Sequence, residues 1–322
     1  MTSTQTQPQG TLQGSSSNNP LNNKQGTFTG AHQVKLFYQS WYPAIAPDRE
    51  TSEPVNGPVK GILAIVHGLG EHSGRYCSVV KAAIEAGYAV FGFDNQGHGK
   101  SEGQRGHIKS WQDYRENVQA FLHLIRRKEP TAPLFVMGHS LGGLIVLEYV
   151  LRKAQSSKFQ SLNIEGIVIS APPMQPVGST THSARAIFAK LLSGLLPRFT
   201  LKMCLDEGGL SRDRTVEERA QKDPLVHPYV TLRWGAETIA TIEWVKQHIK
   251  SLKLPIMLTH GGSDPIIHPA GSQALFDSIT IPEKTFRLYP GSYHEPHNDL
   301  DAETVTADIT RWLERTLAGS QA

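Results

Sequence analysis

Apolar positions along this chain fall into two kinds of run. Some are short, nearly continuous and end at glycine or a small polar cluster; others are longer and repeat at helical spacing. GILAIVHG (61–68) is of the first kind, the pattern of a parallel strand buried on both faces. YAVFGFD (88–94), PLFVMGH (133–139), IEGIVISAP (164–172), LPIMLTHG (254–261) and KTFRLYPG (284–291) repeat it. Helical patterns lie between and after them, at 76–86, 111–129, 141–153, 268–278 and 301–316. This alternation predicts an α/β fold with a mostly parallel central sheet flanked by helices.

Two segments break the rhythm. Residues 1–26 are rich in Ser, Thr, Asn, Gln and Gly with no acidic residue, and predict a disordered tail. Residues 173–253 carry helical patches at 183–197 and 237–252 and no convincing strand. They predict a helical cap over the sheet's carboxyl edge, where open α/β sheets bind ligands. The expected organisation is thus a tail (1–26), a core (27–172), a cap (173–253) and the rest of the core (254–322).

Composition excludes more than it suggests. With 322 residues, 39% of them hydrophobic, the chain can bury a sizeable core, and its net charge of +3 offers no nucleic-acid surface. No phosphate-loop or dinucleotide spacing occurs, so no cofactor is expected, and the glycine-rich FDNQGHGKSEG (93–103) reads as structural. His294-Glu295-Pro296-His297 is one residue short of the zinc helix H-E-x-x-H, and Pro296 disrupts such a helix, so no metal is expected. Cys77 and Cys204 read as free thiols of a reducing compartment. No bilayer-length apolar run and no secretory leader are visible, which points to cytoplasmic residence. Oligomeric state is not legible.

The chemistry begins at Gly138-His139-Ser140-Leu141-Gly142, which matches G-x-S-x-G between an apolar strand and a helix. A sharp turn in that setting lifts the Ser140 hydroxyl clear of the sheet as a nucleophile. A serine needs a histidine base and an acid to orient it, in the chain order Ser, Asp or Glu, His, each at the carboxyl end of a strand. Asp264, after the strand 254–261, and His294, after the strand 284–291, satisfy that order. His260, inside a strand, reads as a satisfied core residue, and His139 as pointing away from the turn. The oxyanion of an acyl-transfer intermediate needs two backbone N–H donors; Leu141 and, in His67-Gly68-Leu69-Gly70, Leu69 are the candidates.

HGLGEHSGRY (67–76), FDNQGHGKSEG (93–103), GHSLGG (138–143), GGSD (261–264) and GSYHEPH (291–297) together resemble the monoacylglycerol lipase and lysophospholipase-like branch of the α/β hydrolases, whose members are often labelled serine aminopeptidases. The resemblance covers roughly residues 28–318 and implies an α/β-hydrolase fold with an inserted helical cap. It implies the triad Ser140, Asp264 and His294, oxyanion donors at Leu69 and Leu141, and a glycerol-binding role for Glu71, Arg75 and His297. Glu71 and Arg75 also read as a structural ion pair, and His297 as a loop hydrogen-bonder. The implied substrate is a small lipid or ester, cleaved through an acyl-enzyme. Lysophospholipase, carboxylesterase and aminopeptidase activity remain alternatives, as does a non-catalytic receptor on the same fold. The strongly apolar helix 183–197 offers either an acyl channel or a face for peripheral membrane contact, with Arg185, Lys190, Arg198 and Lys202 toward anionic head groups.

Overall fold

The structure is a computed structural model describing residues 22–43, 59–153, 160–177, 193–203 and 208–320. Eight strands form the main sheet in the order β1-β2-β4-β3-β5-β6-β9-β10. They are β1 (Asn22–Thr29), β2 (Lys35–Tyr42), β3 (Gly61–Val66), β4 (Tyr88–Phe93), β5 (Leu134–His139), β6 (Ile164–Ser170), β9 (Ile256–Gly261) and β10 (Lys284–Tyr289). All neighbours from β4 to β10 pair in parallel; β1–β2 and β2–β4 are antiparallel.

The continuous apolar runs sit where both faces are covered, and β3, β4, β5 and β9 are buried at every position. Alternate residues of β3 serve opposite layers. Ile62, Ala64 and Val66 pack with α2 (Trp111–Lys128), α3 (Leu141–Lys153) and α5 (Leu232–His248). Leu63 and Ile65 pack with α1 (Cys77–Glu85) and α7 (Ala302–Ser320). Two further helices among the described residues are α4 (Arg214–Lys222), in the cap, and α6 (Pro269–Ser278).

Three expectations need correction. The cap does not extend to residue 253, because α5 (Leu232–His248) packs with α2 and α3 on the sheet. Asn22–Gly26, expected in the tail, belong to β1, because the β2 edge supplies ladder partners from Asn22↔Tyr42 onward. Main-chain hydrogen bonds, not apolar burial, order this polar stretch, which its composition could not reveal. The cap is not wholly helical either: β7 (Thr200–Lys202) and β8 (Tyr229–Thr231) pair antiparallel. Three residues per strand are too few to show a periodicity. Residues 183–192 of the expected cap helix, and Cys204, lie outside the described residues; Cys77 is a free, exposed thiol. Among the described residues no group of acidic, His or Cys side chains is placed to hold a metal, and no helix is long and apolar enough to cross a membrane.

Candidate active site

β5 leaves the sheet at His139, and Ser140 follows with φ 49°, a left-handed conformation that a β-carbon disfavours. The Ser140 amide donates to Ser170 O at 2.8 Å, which ties the turn to the end of β6. α3 starts at the next residue, and its first turn passes so close to β3 that a Cβ on Gly142 would lie 2.0 Å from Val66 O. Ser140 therefore stands partly exposed at the sheet's carboxyl edge, at the positive end of α3. The 67–76 loop lies alongside: a Cβ on Gly68 would meet Ser140 Cβ at 3.3 Å. Leu69, next to Gly68, is half-buried, and Leu141, the first residue of α3, is buried.

Asp264 and His294, 30 residues apart, meet: His294 Nδ1 donates to Asp264 Oδ2 at 2.7 Å. Asp264 Oδ1 accepts the amides of Ile266 and Ile267 at 2.8 and 2.9 Å. Burial opposes ionisation of Asp264, but His294, a hydrogen bond from His260 and the Ile267 amide outweigh it and hold its carboxyl well below the usual range. Burial likewise works against a charged His294, and the Asp264 carboxylate prevails, so its pKa is raised. The rings of His139 and His294 lie 5.0 Å apart, which corrects the expectation that His139 points elsewhere. The turn at Ser140 is so tight that the residue before it shares the same end of the sheet.

Next to this pair is a buried polar group. Glu71 Oε1 accepts from the Gly68 amide at 2.5 Å and from Tyr76 OH at 2.8 Å. His297 stacks on Tyr76 with centroids 4.9 Å apart, and its ring is equally close to His139. Arg75 turns mainly to Glu295, donating from Nη2 to both carboxylate oxygens at 2.9 and 2.8 Å, while its Nε is 3.9 Å from Glu71 Oε2. Glu295 was missed in the sequence although it adjoins His294, because its pairing spans 220 residues. Burial, then Glu295, push the Glu71 carboxyl up against the pull of Arg75. Burial lowers His297 to about 4, so it is neutral at neutral pH. Glu71 Oε2 and both ring nitrogens of His297 are buried without a hydrogen-bond partner among the described residues.

The family model described as serine aminopeptidase, S33, matches residues 57–301, which include every one of these side chains. The chain belongs to the S33 serine aminopeptidase family. Monoacylglycerol lipase from Mycolicibacterium smegmatis is 29% identical over 89% of this chain and 95% of its own length. Monoglyceride lipase from Rattus norvegicus is 27% identical over 88% of each chain. The crystal structure of Paleococcus ferrophilus monoacylglycerol lipase superposes with a TM-score of 0.74 at 30% identity, covering 87% of this chain and 99% of that one. The fold is that of the α/β hydrolases.

In this S33 member the cap grips both loops that carry the site. At the 67–76 loop, His72 Nε2 pairs with Asp223 Oδ2 at 2.9 Å, and the His227 amide donates to Gly70 O at 2.8 Å. At the loop after His294, the Glu295 amide donates to Leu210 O at 2.8 Å, and Arg212 binds Asp299 and Asp301 at 2.8 and 2.6 Å. The glycine-rich 93–103 loop braces the same region: Asp94 accepts from the amide and hydroxyl of Ser73, and the Asn95 amide donates to His67 Nε2.

Proposed function

We propose that this protein hydrolyses monoacylglycerol-like carboxylic esters through an acyl-enzyme on Ser140. His294 accepts the Ser140 proton as the hydroxyl attacks the ester carbonyl, and Asp264 holds the imidazolium that results. Amides of Leu69 and Leu141 receive the oxyanion, where one such donor is worth ~2.7–4 kcal/mol. Collapse passes the proton to the departing glycerol oxygen, and water activated by His294 then releases the fatty acid.

The observation that carries this reading is the set of unpartnered buried atoms, Glu71 Oε2 and the two His297 nitrogens, beside the Asp264–His294 pair. Burying polar atoms without partners is costly, and glycerol hydroxyls both donate and accept, so they satisfy this set. The monoacylglycerol lipases among the relatives support the same substrate class. An aminopeptidase would bring an ammonium here, and the Arg75 guanidinium 3.9 Å from Glu71 disfavours a second cation. The cap supplies a route for lipid. Leu195, Leu196, Phe199, Leu201 and Tyr229 are exposed there together with Arg198 and Lys202, a composition suited to peripheral contact with an anionic membrane surface.

The test combines covalent labelling with a substrate panel. A fluorophosphonate probe labels the wild type and not Ser140→Ala, and long-chain monoacylglycerols are turned over faster than lysophospholipids or aminoacyl arylamides. Labelling that survives Ser140→Ala removes the nucleophile assignment; a preference for arylamides removes the lipase reading.

A further inference from the structure

The catalytic acid proposed above is shared by two histidines. Asp264 Oδ2 receives His294 Nδ1 at 2.7 Å and also His260 Nε2 at 3.1 Å. His260, the next-to-last residue of β9, is fully buried, as is Ser272 on α6. Ser272 Oγ lies 2.7 Å from His260 Nδ1, and Ile267 O lies 3.1 Å from His260 Nε2. Only one tautomer serves all of these contacts. Nε2 must carry the proton, because both its neighbours, a carboxylate and a carbonyl oxygen, are acceptors. Nδ1 then accepts from the Ser272 hydroxyl.

We infer that Ser272 and His260 form a positioning pair that fixes the orientation and the basicity of Asp264, and through it the proton affinity of His294. Ser272 holds the tautomer, His260 donates to Oδ2, and with the Ile266 and Ile267 amides every face of the carboxylate is engaged. A carboxylate with four donors is pinned in the plane His294 needs. It is also less basic than one with three, so it draws a proton onto His294 less strongly. The other titratable groups around the pair are His139 at the end of β5, Glu71 and Arg75 on the oxyanion loop, and Glu295 and His297 beyond His294. None of them donates a hydrogen bond to Asp264, so the second donor side chain is His260 alone among the described residues.

The inference rests on the triad reading, and the experiment separates the two. The pH dependence of kcat/KM on a soluble ester is measured for the wild type, His260→Gln, His260→Met and Ser272→Ala. Gln keeps an N–H donor on the strand; Met fills the space without one. Loss of the donor makes Asp264 more basic, so His294 holds its proton to higher pH. The acid limb therefore moves up by roughly half a unit or more in His260→Met, stays at the wild-type position in His260→Gln, and moves up by a smaller amount in Ser272→Ala. An acid limb that stays put in both Met and Gln, or moves equally in both, overturns the positioning role. If His260→Met does not fold, Ser272→Ala decides: a raised limb supports the role and an unmoved one ends it. Full activity in Asp264→Asn would instead remove the triad reading itself.

Discussion

At Glu71 one carboxylate oxygen is occupied and the other is not. Oε1 holds Gly68 and Tyr76 in place, while Oε2 is buried 3.9 Å from Arg75 with no hydrogen bond among the described residues. Glu71→Gln separates the two duties, since the amide oxygen still accepts from Gly68 and Tyr76 but the other position becomes a donor. KM for a monoacylglycerol should rise about tenfold, the value of a hydrogen bond to a charged group, while KM for a short aryl ester changes little. Equal effects on both substrates would mark Glu71 as a loop brace only. The pairing of Asp264 with His294 was legible in the sequence because chain order and strand ends are linear properties. The sequence did not carry Arg75's choice of Glu295 or the bond from His260 to Asp264, because both depend on which loops meet in space.

At the scale of elements, the decisive contact is between α3 and β3. The turn at Ser140 is held by backbone packed on backbone, so a methyl group at Gly142 collides with Val66 O, a neighbour that cannot move without shifting the sheet. Gly142→Ala should cost about 1–3 kcal/mol, the usual range for overpacking, seen as a lower urea midpoint, and should slow fluorophosphonate labelling. An unchanged midpoint would mean that the helix start adjusts freely. The sequence announced β3, β4, β5 and β9, which are buried at every position, and also the half-exposed edge strand β10, but not the largely buried β2. β1 escaped notice because NNKQGTFT offers little apolar surface and is held by its ladder to β2, and β7 and β8 because they are too short.

For the whole molecule, the proposed membrane contact rests on the exposed cap residues. Leu195 and Phe199 are 79% and 54% exposed on the side that carries Arg198 and Lys202. Replacing both with Asp removes apolar area worth about 1.5–3 kcal/mol per fully buried side chain and adds charge of the wrong sign for an anionic surface. Co-sedimentation with phosphatidylglycerol-containing vesicles should fall at least tenfold, with turnover of a soluble aryl ester unchanged. Undiminished sedimentation would place any membrane contact elsewhere.

The double grip of the cap on the 67–76 and 291–301 loops also bears on engineering. The insertion is not one interchangeable module, because the segment from Leu210 to His227 holds Glu295 on one side and Gly70 and His72 on the other. A chimera that replaced residues 173–253 as a block would trade away those anchors along with the exposed apolar surface. The productive splice retains Leu210–His227 from the host and exchanges only what precedes it.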